Sequence, residues 1–570
     1  MSAVLRQAAP LRQRVHWTDR VAHLLLGAIA AALAAFLAAP LLAVLAQSVE
    51  GKQGEFVALD NFFAYFATPA LADSLWNSVW TSLVVTAIVV PAAFAFAFAL
   101  TRSCMPWKGA FRTVALTPLL APSLLSAIAF IYWFGNQGAL KTLLLLLGIE
   151  SIYGAPGIIV SQIFSAFPHA LMILVTALSL ADARLYEAAD ALGTGAARKF
   201  FTITLPGAKY GIASAAMVCF TLVITDFGIP KVIGGNFNVL STDVFKLVIG
   251  QQDFPKGAVV ALILLAPALL TFAVDRIVQR KQTSLLTARA VPYAQKPKRR
   301  RDAAMTAYCT LVIALMLAVA GMAVFASFVK FWPYDLSFSL RHYAFGFIDG
   351  EVSVALKNSI VLALWTAAAG TAAVFAGAYL VEKTRGADWL RGPVQLLALI
   401  PMAVPGLVLG LAYIFFFNAP QNPFNFLYHT MTILVLCTIG HFYTTGHLTA
   451  VTALKALDAE FESVSASLKV PFWKTFWRVT LPICTPALVD ISRYFFINAM
   501  TTISAVVFLY APDTRLVSVA ILNLDEAGEP GAAAAMAVLI AATSLTVCIL
   551  YLGIGWLAER RTQAWRLTKS

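Results

Sequence analysis

The sequence predicts an all-α integral membrane protein made of two homologous halves with six helices each, about twelve transmembrane helices in total. Three observations support this prediction. Hydrophobic residues make up 60% of the 570 residues and charged residues 12%, and the mean hydropathy of +0.80 lies outside the range of soluble domains. About twelve apolar runs have the ~20 residues that a helix needs to cross a bilayer. The last six runs also repeat the first six.

The predicted spans form two sets of six. Residues 276–302 lie between the two sets. This polar segment is rich in Lys, Arg, Gln and Pro, and its composition predicts a basic linker. In the first half, residues 1–275, the spans are Val21–Ala46, Ser78–Leu100, Val114–Phe134, Gly157–Leu180, Ile212–Phe227 and Ala258–Val274. In the second half, residues 303–570, they are Ala303–Val329, Ser359–Val381, Val394–Phe417, Thr430–Leu454, Ala487–Leu509 and Ala532–Leu557.

The net charge of +13 comes from basic residues that collect in particular loops. Arg6, Arg12 and Arg14 precede the first span, and Arg276–Arg301 separates the halves. Because Lys and Arg are retained on the cytoplasmic side of membrane proteins, both termini are predicted to be cytoplasmic. The charge therefore indicates topology and not a nucleic-acid partner. Within the linker, Lys296–Arg301 is either a solvated loop or a contact for anionic headgroups of the lipid bilayer.

The repeat can be followed residue by residue, because adding 276 to a residue number moves from the first half to the second. Val175–Leu178 (VTAL) becomes Val451–Leu454, and Thr204–Pro206 (TLP) becomes Thr480–Pro482. At slightly larger offsets an Asn-Ser pair and two prolines recur. The prolines predict a kink in the third span of each half, which serves either packing or a cavity. These residues are Asn77-Ser78 and Asn358-Ser359, Pro118 with Pro122, and Pro401 with Pro405.

Each half has a charged loop between its fourth and fifth spans, at residues 181–211 and 455–486. Because each half has an even number of spans, the halves are related by a parallel pseudo-two-fold axis and both loops face the cytoplasm. The first loop predicts two short helices joined at Gly193, the second of which ends at Pro206. Its charges must lie in water or against another protein, so the loop is a candidate docking element.

The first loop resembles the EAA loop of permease subunits of binding-protein-dependent ABC importers. Glu187-Ala188-Ala189 is followed after three residues by Gly193 and, after nine more, by Ile203 and Leu205-Pro206. The resemblance implies that the loop forms coupling helices in a groove of an ATP-binding subunit. It further implies two such subunits, which hold ATP and Mg, on the cytoplasmic side of the bacterial inner membrane, and a periplasmic substrate-binding protein on the other side.

The second loop keeps the spacing of the first but not its motif. Glu462 lies one place early, so it is an uncertain equivalent of Glu187. A helical element is still predicted, and we expect its docking contact to be weaker than that of the first loop. Ser463, Val464, Ser465 and Lys469 occupy the positions of Glu187, Ala188, Ala189 and Gly193. The residues expected to couple here are Glu462, Leu468, Leu481 and Pro482.

The sequence lacks motifs for catalysis and for nucleotide or metal binding. Without G-x-x-x-x-G-K-[ST] it has no backbone cradle for ATP phosphates, and it has no H-E-x-x-H and no serine nucleophile elbow. The six cysteines are scattered, and His441 and His447 fall on different helix faces, which argues against a metal pair. The sequence predicts a translocation subunit without a cofactor of its own, and not an enzyme.

Asp226 is a charged residue that the sequence places close to the membrane. It follows Thr225 at the outer end of the fifth span, and the repeat places Thr501 and Thr502 opposite this pair. Together with Asn498 and Ser504, these residues predict a polar patch around the axis between the halves, as a substrate pathway requires. The alternative is that Asp226 lies in the outer interface and caps a helix.

The solute is suggested by resemblance alone. Thr225–Pro230 and Thr502–Val506 look closest to 2-aminoethylphosphonate permeases, so that phosphonate is the expected solute. Ferric iron and thiamine permeases, which are similar fused chains, are the alternatives within the same class. From another class, an ion-coupled secondary transporter would need a charged Gly-rich loop after its second span, and Thr101–Arg112 does not resemble one.

Overall fold

The structure is a computed structural model that describes residues 17–179, 182–285, 296–348, 351–384, 388–458 and 460–562. Arg6, Arg12 and Arg14 lie outside these ranges. So do residues 286–295 of the predicted linker, residue 181 of the first predicted loop and Ala459 of the second.

Helices make up nearly all of the described first half, and π-helical turns at residues 34–38, 200–204 and 246–250 connect several of them. The helices are α1 Trp17–Leu33, α2 Ala39–Ser48, α3 Asp60–Phe66, α4 Pro69–Arg102, α5 Lys108–Leu116, α6 Leu124–Phe134, α7 Lys141–Leu146, α8 Ala155–Ser179, α9 Ala183–Ala191, α10 Ala196–Lys199, α11 Leu205–Thr225, α12 Gly228–Ile233, α13 Leu240–Phe245 and α14 Phe254–Leu285.

The second half follows the same order and adds a short antiparallel hairpin that the sequence did not predict. A π-helical turn lies at residues 476–480. The elements are α15 Arg299–Phe328, β1 Val329–Phe331, β2 Asp335–Phe338, α16 Arg341–Ile348, α17 Glu351–Lys383, α18 Asp388–Leu399, α19 Gly406–Phe417, α20 Met431–Lys455, α21 Glu460–Ser467, α22 Phe472–Thr475, α23 Leu481–Ile483, α24 Thr485–Thr501, α25 Val517–Glu526 and α26 Pro530–Thr562. Since α14 continues to Leu285 and α15 begins at Arg299, helix occupies both ends of the predicted linker.

Eight helices in the described ranges are long and apolar enough to cross a membrane, or ten if each of two bent pairs counts as one span. The two other predicted spans correspond to α20 and to α24, which ends at Thr501 instead of Leu509 and has 17 residues. In the repeat they take the places of α8 and α11, which belong to helices that meet the test. The repeat therefore supports the count of twelve.

The third span of each half is broken, as the prolines predict. The segments Lys108–Leu120 and Leu124–Phe134 meet at 100°, and Trp389–Met402 and Gly406–Phe417 meet at 115°. Each break lies between the two prolines of its pair, where missing N–H donors and ring clashes prevent a regular helix.

The predicted helix stop at Pro206 is wrong. The helix runs without a break from Ala196 to Thr225, with Pro206 near the start of α11. Proline normally collides with the preceding turn of an α-helix, but here that turn is the π-helical segment Phe200–Thr204, which is wider. The same π-helical segment precedes Pro482 in the second half.

Equivalent helices pack in the same way in both halves. Helices α4, α8 and α11 contact one another, as do α17, α20 and α24. The first span of each half extends across to the other half: α1 packs on α17 and α18, whereas α15 packs on α4, α5 and α6. Cys309, Ile313 and Met316 of α15 accordingly belong to a buried cluster that is otherwise built from the first half.

The recurring Asn-Ser pair holds the chain that follows the fifth span. Its amide nitrogen donates to a main-chain carbonyl of that chain, and its serine oxygen accepts from the first backbone N–H of the next helix. The distances are 3.0 Å from Asn77 to Asn238 and 2.8 Å from Leu240 to Ser78 in the first half. In the second half they are 3.1 Å from Asn358 to Arg515 and 2.9 Å from Val517 to Ser359.

Candidate functional site

The first knob, residues 182–206, is a compact turn between α8 and α11. Asp182 caps α9 by accepting a hydrogen bond from the backbone of Arg184 at 3.1 Å. Helix α9 ends before Gly193, whose φ of +66° lies in the left-handed region that favours glycine. The backbone of Thr194 donates to the carbonyl of Ala189 at 2.9 Å and closes the turn. The predicted helix end at Gly193 is confirmed.

One face of α9 is buried against the membrane helices. It presents Ala183, Tyr186 and Ala189 at helical spacing. The hydroxyl of Tyr186 lies 2.9 Å from that of Thr204, and the guanidinium of Arg102 lies 5.2 Å from the centre of the tyrosine ring. Helix α9 is therefore anchored to the end of α4 by a cation–π contact.

The opposite face of the first knob is exposed. Glu187 and Ala188 lie on it. A Lys199–Asp190 ion pair links α10 to α9, and the hydrogen bond from this lysine holds the pKa of Asp190 below its usual value. Three large apolar side chains, Leu185, Leu192 and Phe201, are also exposed, Leu192 to 82%.

The second knob, residues 458–482, has the same backbone as the first. Asp458 caps α21 by accepting from the backbone of Glu460 at 3.0 Å, as Asp182 does for α9. Lys469 takes the place of Gly193 with a φ of +54°, and the backbone of Val470 donates to Ser465 at 2.9 Å. The lysine thus keeps a left-handed conformation without the freedom of glycine.

Matching aromatic clusters support the two knobs from inside. In the first half, Phe200 of the π-helical turn packs edge-to-face on Phe94 and Phe98, with ring centres 6.0 and 5.9 Å apart. The second cluster consists of Phe375, Tyr379 and Phe476, in which the tyrosine and Phe476 ring centres are 4.8 Å apart. Such aromatic pairs stabilise both knobs beyond the area they bury.

Glu462 lies on the inner face of the second knob, where the repeat puts Tyr186. Its carboxylate forms an ion pair of 2.9 Å with Lys383 at the end of α17, and the two side chains are 19% and 11% exposed. Glu462 is therefore an anchor of α21 and not an exposed equivalent of Glu187, whose position is taken by the exposed Ser463.

Sequence reasoning missed the Arg102 and Lys383 anchors. The offset of 281 that relates the Asn-Ser pairs also relates these two cations, and this was the available signal.

The outer face of the second knob repeats the apolar side chains of the first. Phe461, Leu468 and Trp477 are exposed, Leu468 to 69%, and they stand at the positions of Leu185, Leu192 and Phe201 plus 276. Leu205 and Leu481 are partly buried at the base of each knob, where Pro206 is exposed and Pro482 half-buried. Six matched apolar side chains thus form two exposed patches, which can bind hydrophobic grooves.

Asp226 is partly buried within the first half. Its carboxylate accepts hydrogen bonds from Ser123 at 3.3 Å, from Gln162 at 3.0 Å and from the backbone of Ile229 at 3.0 Å. The last of these bonds caps α12, and the other two connect Asp226 to the start of α6 and to the third turn of α8. This geometry favours the capping alternative over a pathway role.

Three of the other predicted pathway residues form side-chain hydrogen bonds within their own helices. The hydroxyls of Thr225 and Thr501 donate to carbonyls four residues earlier, at 2.7 and 3.0 Å, and the amide of Asn498 does the same at 2.8 Å. Thr502 is buried, and Ser504 packs against Gly406 so closely that an added Cβ there would lie 2.5 Å from the serine oxygen. The hydrogen bonds of these residues do not join the two halves.

A cavity of about 390 Å³ lies instead between the halves, after their fifth spans. Phe245 of the first half and Phe508 of the second stack across it at 6.0 Å. Lys231 forms an ion pair of 2.5 Å with Glu526 of the other half, and Arg515 also lines the cavity. The sequence analysis did not select these residues, because the contacts form only when the halves assemble.

Comparison with known proteins yields a family match in each half. Residues 90–284 and 369–562, together more than half of the chain, match the binding-protein-dependent transport system inner membrane component family. Each match contains one knob.

Two of the relatives extend over both halves, and a third covers less than half of the chain. The ferric transport system permease protein FbpB of Actinobacillus pleuropneumoniae is 27% identical over 480 residues, covering 81% of this chain and 68% of that protein. The ABC transporter permease protein y4fN of Sinorhizobium fredii is 24% identical over 93% of this chain and 96% of that protein. PhnU of Salmonella choleraesuis, named for a 2-aminoethylphosphonate transport system, is 25% identical over 42% of this chain and 85% of that protein. The chain therefore belongs to the family of binding-protein-dependent transport system inner membrane components, with two family repeats fused in one polypeptide, and is a permease subunit of an ABC importer.

Proposed function

We propose that each knob docks one ATP-binding subunit, and that the face of the protein bearing both knobs, the knob face, is cytoplasmic. The observation that supports this is the matched exposure of Leu185, Leu192 and Phe201 and of their equivalents plus 276. Six crossings separate the knobs, so both emerge on one face. Two equivalent patches on one face fit two copies of one partner.

In this proposal the knobs transmit movement between the ATP-binding subunits and the spans. The apolar patches enter grooves of the subunits, and Glu187 contacts the groove rim of the first. The first knob continues through its π-helical turn into α11 without a break, and the second is joined to α24 through the short helix α23 and a turn at Cys484, so a displaced knob pulls on the fifth span of its half. Leu205, Pro206, Leu481 and Pro482 lie at that transition. A periplasmic binding protein delivers the solute at the opposite face.

The docking proposal is tested by replacing Leu192 with Gln. A central apolar contact of an interface is worth about 2 kcal/mol, which corresponds to about thirtyfold weaker binding of the ATP-binding subunit. Leu146→Gln is the matched control. Leu146 is 79% exposed and lies in α7, which precedes α8, whereas the first knob follows α8 at its opposite end. Equal affinity of the ATP-binding subunit for both variants, measured by copurification and titration, would contradict the proposal.

The sidedness of the knob face is tested with a native thiol. Cys104 is exposed, and the other five cysteines are buried or half-buried. It follows α4, whose Arg102 contacts the first knob, so it lies on the knob face. We expect a membrane-impermeant maleimide to label it in inside-out vesicles and not in intact cells, with Cys104→Ser as the control. Labelling in intact cells would show that the knob face is not cytoplasmic and would contradict the proposed topology.

We place ferric iron first among the candidate solutes. The relatives that bear ferric names cover 81% and 75% of this chain, whereas the phosphonate relative covers 42%. This differs from the phosphonate preference of the sequence analysis. Thiamine rests on that earlier resemblance alone, and family membership decides against an ion-coupled secondary transporter.

2-Aminoethylphosphonate is the second candidate, supported by the cavity between the halves. Lys231 and Arg515 line this cavity together with Glu526, a combination suited to a phosphonate group and an amine. Ligand titration of the cognate binding protein with ferric iron and with the phosphonate separates the two. Uptake of the matching labelled solute, lost when ATP is removed, is the expected result. Binding of neither would exclude both solutes while leaving the docking proposal intact.

A further inference from the structure

A second cavity, of about 380 Å³, lies at the knob face between the ends of α4 and α8 and the start of α5. Three cations line it: Arg102, Lys108 and Arg112. The last two stand one helical turn apart on α5. The lining belongs wholly to the described residues and includes no carboxylate. We call it the cation cavity.

The innermost cation, Arg102, contacts the main chain and an aromatic ring. The guanidinium of Arg102 donates to the carbonyl of Leu178 at 2.6 Å and stacks on Tyr186. Lys108 and Arg112 form no ion pair with any residue in the described ranges. Three positive charges therefore share one cavity without a negative side chain in its wall, an arrangement that attracts an anion.

The equivalent place in the second half shows how the protein neutralises such charges internally. There Lys383 replaces Arg102 and pairs with Glu462 at 2.9 Å. Two polar residues of the cation cavity, Thr101 and Ser179, are replaced by Glu382 and Lys455, which pair at 3.6 Å. The second half thus supplies its own carboxylates, whereas none lines the cation cavity of the first half.

The surroundings of the cation cavity indicate a membrane-interface level. Trp107, which precedes Lys108, is exposed, as tryptophans at the edge of a bilayer are. Met172 on the neighbouring face of α8 is exposed as well, on a helix that is apolar enough to span the membrane. A ligand in the cavity can therefore hold a polar head among the cations and extend an apolar tail along α8.

We propose that the cation cavity binds a phosphate-bearing anion, and that the headgroup of an anionic phospholipid supplies it. Arg and Lys in basic pockets between membrane helices recognise such headgroups by charge-assisted hydrogen bonds. Since Arg102 also holds Tyr186, a bound headgroup adjoins the anchor of the first knob. Occupancy and the position of α9 are thereby linked.

The test uses the full chain purified with its ATP-binding subunits. Native mass spectrometry follows the retention of phosphatidylglycerol and of phosphatidylcholine during titration. We expect Lys108→Gln combined with Arg112→Gln to weaken phosphatidylglycerol retention about thirtyfold, from about 1 kcal/mol for each cation at a membrane surface. The matched control is Lys209→Gln with Arg560→Gln, two exposed cations in α11 and near the end of α26. It removes the same charge outside the cavity and should leave retention unchanged.

Retention of the ATP-binding subunits by the double variant shows that it is folded. Equal losses in both double variants, or equal retention of phosphatidylcholine and phosphatidylglycerol, would overturn the proposal. Displacement of phosphatidylglycerol by millimolar inorganic phosphate would confirm the anion site and overturn the lipid as its source. Resistance to phosphate assigns the site to the lipid.

Discussion

The two knobs share a backbone but differ in the contacts that hold them. Both begin at a capping aspartate, pass through a left-handed residue and continue through a π-helical turn. Their anchors, however, are Arg102 with Tyr186 in the first and Lys383 with Glu462 in the second. The difference teaches that capping, the π-helical turn and the aromatic cluster determine the shape of the knob, while a cation at the end of the second span can use either a ring or a carboxylate.

The largest expected difference between the knobs comes from breaking the second anchor. Removing one partner of a largely buried ion pair leaves an unpaired charge and costs about 3 kcal/mol. Lys383→Ala or Glu462→Ala should therefore lower the opening free energy of α21, measured by hydrogen exchange, by about that amount. Lys455→Ala is the control, because Lys455 is 64% exposed and its pair contributes little.

Exchanging the anchors sharpens the same comparison. Lys383→Arg combined with Glu462→Tyr gives the second knob the residues of the first and should restore most of the protection of α21. Additive effects of the two alanine substitutions in a double-mutant cycle would show that the pair does not stabilise the knob.

A smaller effect is expected at the left-handed position. Lys469 has a φ of +54°, a conformation that costs a side chain about 1 kcal/mol. Lys469→Gly should therefore stabilise the second knob, and Gly193→Ala should destabilise the first by a similar amount. Lys469→Ala keeps the Cβ and should bring no gain. Loss of protection in Lys469→Gly would mean that the lysine side chain makes a stabilising contact.

The smallest expected difference is in the response to pH. Because the pKa of Asp190 is held below its usual value of 3.8, the Asp190–Lys199 contact stabilises the first knob fully above that pH and is lost as the pH falls through the lowered pKa. In the second knob, Thr475 stands at the position of Lys199, and its hydroxyl contacts that of Ser465, which stands at the position of Ala189; neither hydroxyl titrates in this range.

Hydrogen exchange below pH 3.8 should thus open α10 before α22. Lys199→Gln should remove this difference at every pH. A first knob that keeps its greater acid sensitivity in this variant would rule out the ion pair as the cause.

Local sequence signals predicted the knobs and the breaks of the third spans well. Gly193 gave the end of α9, the two proline pairs gave the bends, and the offset of 276 related the knobs. These features depend on residues close together in the chain, so their chemistry can be read directly from sequence.

Features that depend on distant contacts were missed. Pro206 was misread as a helix stop, because a π-helical turn has no simple sequence signature. From sequence, Glu462 resembles the motif glutamate displaced by one position. Its ion pair with Lys383, which belongs to another span, shows that it anchors the knob instead. The sequence leaves Asp226 open to a pathway role or a capping role, and the capping role is favoured by the bond from the backbone of Ile229 together with those from the distant Ser123 and Gln162.

The first span of each half packs partly on the other half, so the sequence repeat and the set of helices that pack together are not the same. Buried Leu26 of α1 lies with Leu380 and Val381 of the second half, just as Cys309 of α15 lies within the first. When the two halves tilt against each other, α1 and α15 must either move with the helices of the other half on which they pack or slide along them. A polypeptide cut near residue 290 would therefore yield two interlocked pieces, each of which completes the hydrophobic packing of the other.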